Sequence, residues 1–258
     1  MVAVARSAIL HGAASALLAP LLTVAPNAAR ADVKEEIRKA ASVVPGYGPA
    51  DLLFPMAFKG RWHVTRQVVD VTFPLGKEKC SAPEAASAER QASQPAVFDV
   101  RFVETSDADS GNFVLPDRAF NAEQREAALS GVPIDELEAR WSTSNPNVVT
   151  MRNRLSGSVT ETKVTKRSTE TPGENAFGTS EYARVADAGS SGVLGGVPRI
   201  LATRERSRYR WESATPNRIE ALEIASLYDP TQTGFADISG ATPVLTIKSR
   251  LILERAVR

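Results

Sequence analysis

The sequence predicts a mainly β protein built on an antiparallel sheet, closed as a barrel or packed as a sandwich. A long run rich in β-branched and aromatic residues, 60–73, ends at Pro74 and predicts the first long strand. Further β-rich runs follow at hairpin spacing through the rest of the chain. The composition, 43% hydrophobic and 24% charged over 258 residues, suits one domain with a buried core.

The first run also carries a sign of curvature. Side chains alternate across a strand, and the apolar ones shift from the face of Val64 and Val68 to the face of Val69. This change predicts a β-bulge or strong bend between Gln67 and Val69. Bulges of this kind let a sheet curl into a barrel.

Residues 1–31 have the pattern of a cleavable export signal. Arg6 precedes a mostly apolar stretch from Ile9 to Val24, and Ala29-Arg30-Ala31 supplies a small-x-small cleavage site. A transmembrane anchor is the alternative, but the stretch falls short of the ~20 residues that a spanning helix needs, and Pro20 interrupts it. We therefore expect a mature protein that does not span a membrane and works in a periplasm, an extracellular space or a thylakoid lumen.

Residues 32–59 lead from the signal to a single β domain expected over 60–258. A helix is predicted over Asp32–Val44, where apolar residues share one face and Pro45-Gly46 ends the pattern. This helix would cover a barrel mouth or pack outside the sheet. The segment after it is irregular and Pro-rich.

The remaining elements are predicted from turn residues and local pattern. Leu75–Pro95 is low in complexity and predicts a mobile loop. Asn121–Leu129 predicts an inserted helix ended by Gly131, and Ile134–Arg140 predicts a further helical turn. The later strands are predicted at Val97–Thr105, Asn147–Leu155, Ser158–Arg167, Ser180–Ala186, Ile200–Trp211, Arg218–Tyr228 and Pro243–Arg255.

Gly60-Arg61-Trp62, at the start of the first long strand, resembles the Gly-x-Trp signature of lipocalin-like (calycin) barrels. In that family the tryptophan closes the barrel floor and packs near an arginine from the last strand. The resemblance implies that Gly60 and Trp62 close the barrel together with Arg250 or Arg255. It also implies an antiparallel up-and-down barrel, with a short N-terminal helix and one or two inserted helices.

The segment 51–62, together with Ser207-Arg208-Tyr209-Arg210, resembles an uncharacterised family of cyanobacterial and chloroplast proteins. That family offers no firm activity to transfer. It implies the chloroplast thylakoid lumen as the location, with a bacterial periplasm or secretion as the alternative.

The few cysteine and histidine residues exclude several chemistries. Cys80 is the single cysteine, so no internal disulfide can form, and His63 is the one histidine left after removal of the leader. These two residues cannot supply a usual zinc site or a well-supported catalytic triad. We expect no enzyme activity, no catalytic residue, no metal and no cofactor. The charge balance, 31 basic against 30 acidic residues, argues against nucleic acid as a partner.

The most informative polar pattern is a row of arginines at alternate positions of one predicted strand, 204–210. If this face points into the barrel, it makes a cationic cavity suited to an acidic ligand. If it points outward, the arginines pair with acids, and Glu220 and Glu223 lie on opposite faces of the next strand. The ligand-binding candidates are Trp62, Arg66, Arg152, Arg154, Arg204, Arg206, Arg208 and Arg210.

Three functions are consistent with these patterns. The first is a non-enzymatic binding protein for a small hydrophobic, anionic ligand such as a lipid, a fatty acid or a tetrapyrrole. The second is an accessory or assembly factor for a photosynthetic membrane complex, with a barrel filled by its own side chains. The third, a pigment-lyase-like enzyme, is the least favoured because the chain has so few nucleophiles and bases.

Overall fold

A computed structural model describes residues 50–104, 113–188, 199–229, 238 and 240–256. The expected signal over 1–31 and the helix predicted over Asp32–Val44 lie outside these residues. The described part forms one antiparallel sheet of eleven strands with two helices. The prediction of a mainly β, antiparallel fold is therefore confirmed.

The strands are β1 (Phe54–Pro55), β2 (Gly60–Thr72), β3 (Ala96–Glu104), β4 (Phe113–Pro116), β5 (Leu137–Ser142), β6 (Asn145–Asn153), β7 (Val159–Gly173), β8 (Ala176–Asp187), β9 (Arg199–Arg210), β10 (Arg218–Tyr228) and β11 (Leu245–Arg255). The helices are α1 (Ala82–Ser93) and α2 (Arg118–Ser130). Short 3-10 turns occupy Met56–Phe58, Lys77–Lys79 and Ile134–Glu136.

The sheet runs in the order β1-β4-β3-β2-β11-β10-β9-β8-β7-β6-β5. Strands β5 to β11 form a continuous meander, and the last strand returns to pair with β2. The sheet curls into a half-barrel. Its edge strands, β1 and β5, do not pair with each other among the described residues.

The predicted bulge in β2 is confirmed. In the pairing of β2 with β11, Ser249 faces Val68 and Lys248 faces Asp70, so Val69 is the extra residue. We call the face that carries Trp62 the inner face and the opposite one the outer face. The bulge leaves Val69 54% exposed.

Aromatic rings fill one end of the inner face. Phe58 is fully buried, and its ring centroid lies 5.1 Å from that of Tyr209 and 5.5 Å from that of Trp211. Phe54 lies 4.9 Å from Phe102 in the same cluster. This end of the half-barrel is therefore a packed aromatic core.

The prediction of a mobile loop over Leu75–Pro95 is wrong, because α1 occupies most of it. Pro83 is tolerated in the first turn of the helix, and the alanine-rich sequence has high helix propensity. Ala85 and Ala88 are buried against β2 and β11, in a cluster that also holds Cys80. Low complexity here reflects close helix packing through small side chains.

The helical turn predicted over Ile134–Arg140 is also wrong in part. A 3-10 turn ends at Glu136, and the edge strand β5 begins at Leu137. The inserted helix predicted over Asn121–Leu129 is confirmed as α2, which starts earlier because the Asp117 side chain accepts a hydrogen bond from the Phe120 amide.

Helix α2 bridges the two sides of the open sheet. The Asn121 side chain exchanges two hydrogen bonds with the backbone of Arg101 in β3, at 2.7 and 3.2 Å. The Glu123 carboxylate accepts a hydrogen bond from the Ala139 amide in β5, at 2.6 Å. Side chains of α2 thus satisfy backbone groups of β3 at a residue that β4 does not cover, and of the edge strand β5.

Candidate functional site

The centre of the inner face holds a buried ion-pair cluster. Glu223 of β10 is 1% exposed and accepts hydrogen bonds of 2.9 Å from Arg66 of β2 and from Arg125 of α2. Arg66 is 2% exposed and also donates to Gln91 of α1 at 3.1 Å. Arg125 reaches Glu205 of β9 at 3.4 Å. The Glu223 carboxylate therefore links the sheet to α2, and the Arg66 side chain links the sheet to α1.

A second ion-pair cluster lies farther along the same face. Arg118 of α2 donates to Asp51 at 2.5 Å and to Glu181 of β8 at 2.9 Å. Arg167 of β7 donates to the same Glu181 carboxylate at 2.5 Å and to Asn147 at 2.6 Å. Together the two clusters hold four arginines and four carboxylates, so their formal charges cancel.

The pKa shifts in the clusters follow from burial and charge. Burial alone would raise the pKa of Glu223, but Arg125 and Arg66 hold it below its ordinary value. The Glu205 side chain is 47% exposed, yet the protein packed around its carboxyl raises its pKa, and the nearby Glu223 and Glu181 raise it further against the opposing effect of Arg125. Glu205 lies directly opposite Glu181 in the pairing of β8 with β9. This like-charge pair at one register position contributes to the raised pKa of Glu205.

The Trp62 end of β2 is held by Arg255. Trp62 is fully buried and donates its indole N–H to the Phe58 carbonyl at 2.6 Å. The Arg255 guanidinium lies 4.3 Å from the Trp62 ring centroid and donates to the carbonyls of Lys59 and Pro216 at 2.7 and 3.0 Å.

Gly60 and Arg250, the other two residues expected at the barrel closure, have different surroundings. Gly60 has a φ of 102°, which suits glycine, and a Cβ there would lie 3.6 Å from the Arg255 guanidinium. Arg250 lies on the outer face, 58% exposed, and pairs with Glu220 at 3.2 Å. Of the two arginines named for the closure, the structure brings only Arg255 to Trp62.

The arginine row of β9 lies on the outer face. Its neighbours in sequence, Glu205 and Ser207, face inward, because they pair across with Ala225 and Glu223 of β10. Arg204 donates to the Ser180 hydroxyl at 3.2 Å, and its guanidinium lies 4.6 Å from the Tyr182 ring centroid.

The outer face of β10 forms an apolar floor between two cationic strands. Leu222 lies opposite Arg208 of β9 on one side and Arg250 of β11 on the other. Two residues farther along β10, Ile224 lies opposite Arg206 and Lys248. We call this surface the outer groove and its two levels the Leu222 rung and the Ile224 rung.

Two adjoining cavities of about 310 and 750 Å³ occupy the outer groove. Their walls carry six cationic side chains, at positions 204, 206, 208, 210, 248 and 250, and only two carboxylates, Glu170 and Glu220. Glu170 pairs with Arg208 at 2.9 Å, and Glu220 pairs with Arg250. Within the described part of the chain, no carboxylate forms an ion pair with Arg206 or Lys248.

The other candidates lie apart from the outer groove. Arg154 pairs with Glu138 of β5 at 3.2 Å and is 54% exposed, and Arg152 is an exposed neighbour on β6. Arg66 belongs to the inner clusters. His63 lies 2.9 Å from the Asp99 carboxylate on the exposed side of β2. The set of binding candidates is therefore divided among three regions.

The inner clusters are the main feature that sequence reasoning missed. A signal for them was present, since Arg66 follows Val64 and precedes Val68 on the buried face of β2. Glu223 likewise continues the buried series of Ile219 and Ala221 in β10. A charged residue at a core position of an alternating strand indicates a buried ion pair.

These features define a class of protein: a curled antiparallel sheet with an ionic inner face and a cationic outer groove. The chain belongs to the family described as Domain of unknown function (DUF6816), whose model matches residues 46–257. The expected membership of an uncharacterised family is thereby confirmed. No curated protein and no solved structure matches the chain. Neither helix of the described residues has the length and hydrophobicity to cross a bilayer.

Proposed function

We propose that the protein is a non-enzymatic binding protein for a small anionic amphiphile, which it holds in the outer groove. The observation that carries the proposal is the Ile224 rung. Arg206 and Lys248 flank an apolar side chain there, and neither forms an ion pair among the described residues, although Asp70 of β2 lies opposite Lys248 in the register. A ligand would lay its apolar part on Leu222 and Ile224 and its acidic group between the two cations.

The geometry of the sheet supports this arrangement. Arg206 and Lys248 are two strands apart, a separation of about 10 Å between backbones at the usual strand spacing. Both side chains are long enough to reach one carboxylate or phosphate group over the middle strand. Charge-assisted hydrogen bonds to such a group contribute about 1.5–3 kcal/mol each when water is partly excluded.

The ligand class follows from the composition of the groove. Leu222 is 36% exposed and Val69 is 54% exposed, so apolar surface is available beside the cations. A fatty acid, an acidic lipid or a tetrapyrrole with carboxylate side chains combines the two required features. A neutral lipid lacks the anion, and a small inorganic anion lacks the apolar contact.

We place this activity outside the compartment of synthesis, in the chloroplast thylakoid lumen or, as the alternative, in a bacterial periplasm or after secretion. The signal pattern over 1–31 supports this proposal. We also propose that the half-barrel is a calycin-like scaffold that binds its ligand on the outside of the sheet. The contact of Trp62 with Arg255 supports that relationship.

The test is calorimetric titration of dodecanoate into the wild-type protein and into the double variant Arg206→Gln with Lys248→Gln. We expect the double variant to bind at least about 100-fold more weakly, since it loses two charge-assisted contacts of about 1.5 kcal/mol or more each. The control double variant, Lys79→Gln with Arg140→Gln, removes the same charge at exposed positions outside the groove. It should bind as wild type does.

Two results would count against the proposal. One is equal affinity in wild type and the groove variant. The other is an equal loss in the groove variant and the control, which would indicate attraction by net charge alone.

The accessory-factor hypothesis is the second candidate, and the packed aromatic core around Phe58 favours it over a ligand held inside a barrel. In that case the outer groove binds an acidic segment of a photosynthetic membrane complex. Recovery of such a complex with the wild-type protein, and its loss in the groove variant, would support this second function if dodecanoate does not bind.

A further inference from the structure

The ion pair between Glu170 and Arg208 separates the two cavities of the outer groove. Glu170, Arg208 and Leu222 line both cavities, so all three lie at the boundary. The Arg208 Nε donates to the Glu170 Oε1 at 2.9 Å. If the Glu170 carboxylate moved away from Arg208, the two cavities would join and the Arg208 guanidinium would be free to bind a ligand at the Leu222 rung.

A glycine keeps the Glu170 side chain in this position. A Cβ at Gly178 of β8 would lie 2.5 Å from the Glu170 Cγ and 2.8 Å from its Oε1. The Glu170 side chain therefore crosses directly over Gly178 on its way to Arg208. Any larger residue at 178 would force the carboxylate away from the guanidinium.

We propose that Glu170 is an internal competitor for Arg208, and that the ligand of the outer groove carries two acidic groups. This inference rests on the proposed function. One acidic group binds at the Ile224 rung between Arg206 and Lys248, and the second displaces Glu170 from Arg208. Residues two apart on a strand are about 7 Å apart, which sets the spacing of the two acidic groups.

Displacement of Glu170 costs little free energy. The side chains of Arg208 and Glu170 are 77% and 52% exposed, and exposed ion pairs of this kind are weak. The pair is weak enough for the second acidic group of a ligand already held at the Ile224 rung to replace it. Glu170 therefore lowers the affinity for diacids by the small cost of this displacement and does not affect a single acidic group at the Ile224 rung.

The experiment compares two probes on four proteins. The probes are dodecanoate, with one carboxylate, and α-decyl adipate, with two carboxylates separated by a short methylene chain. The proteins are wild type, Glu170→Gln, Gly178→Ala, and Gly173→Ala as the control. A Cβ at Gly173 meets no atom within 4 Å, so this control adds a methyl group to the same hairpin without moving Glu170.

We expect both Glu170→Gln and Gly178→Ala to bind α-decyl adipate about two- to fivefold more tightly than wild type, the range that loss of a weak exposed pair allows. Affinity for dodecanoate should stay unchanged in both, and Gly173→Ala should match wild type with both probes. Gly178→Ala is decisive because it keeps the negative charge of Glu170 and moves only its position.

Two results would overturn the inference. The first is unchanged diacid affinity in Gly178→Ala. The second is equal tightening for both probes in Glu170→Gln, which would indicate a general effect of net charge. Failure of the wild-type protein to bind dodecanoate would count against the proposed function instead, and the diacid comparison would still decide the role of Glu170.

Discussion

Replacement of Glu223 by glutamine should strongly destabilise the protein, because this carboxylate is buried and ion-paired. Glu223 is 1% exposed, and its Oε1 accepts hydrogen bonds from Arg66 and Arg125. Arg125 keeps Glu205 as a partner in the variant. Arg66 is 2% exposed and keeps only the amide of Gln91, so it becomes a buried charge without a counter-ion among the described residues.

The expected loss is about 3 kcal/mol in the free energy of unfolding. Breaking a buried ion pair costs about 3–5 kcal/mol, and the lower end applies because the glutamine carbonyl still accepts a hydrogen bond from Arg66. For a domain of about 200 residues this corresponds to a fall in Tm of roughly 6–12 °C. The control is Glu220→Gln, three residues away on the same strand, where the pairs with Arg218 and Arg250 are exposed to solvent and contribute little to stability.

Urea denaturation at several pH values measures the loss in the free energy of unfolding of Glu223→Gln and tests whether the ionised carboxylate is its cause. The pKa of Glu223 lies below its ordinary value near 4.5, so the stability it supplies is present above that pH and is lost as the pH falls through the folded pKa. The difference between wild type and Glu223→Gln should therefore be large at neutral pH and shrink in acid. If Glu223→Gln loses no more stability than Glu220→Gln at neutral pH, the inner cluster does not stabilise the fold as argued.

Two further predictions concern the same face of the sheet. The pKa of Glu205 is raised, so its ionisation opposes folding as the pH rises above about 4.5. Glu205→Gln should therefore be as stable as wild type, or slightly more stable, at neutral pH. A large fall in the free energy of unfolding of this variant, measured by denaturation at neutral pH, would contradict the raised pKa. Arg255→Gln removes the contact with Trp62 and hydrogen bonds to backbone carbonyls, and thermal unfolding should show a loss of about 2–3 kcal/mol. Arg250→Gln, on the outer face, should lose less than about 1 kcal/mol, and equal losses would remove the distinction between the two arginines.

Features that depend on neighbouring residues in one strand could be predicted from the sequence. The shift of apolar residues along β2 predicted the bulge, which the register places at Val69. The alternation in β10 put Glu220 and Glu223 on opposite faces, and they do lie there. Period-two alternation determines which residues share a face, because the side-chain geometry of a strand is fixed.

Features that depend on contacts between distant segments could not be predicted. Arg66 and Glu223 are separated by 157 positions, and only the pairing of β2, β11 and β10 brings them together. The helix α1 was missed because its buried face is made of small residues such as Ala88, which carry little hydrophobic signal. The sequence does not determine whether the arginines of β9 lie on the inner or the outer face. Alternation separates the two faces of a strand, but it does not identify the face that the helices cover.

Native mass spectrometry of the protein purified from its own source tests the central claim most directly. We predict a discrete added mass on the wild-type protein that denaturation removes. The Arg206→Gln, Lys248→Gln variant expressed in the same source should lack it. A bare chain mass in the wild-type protein, or the same added mass in wild type and variant, would contradict a ligand held in the outer groove.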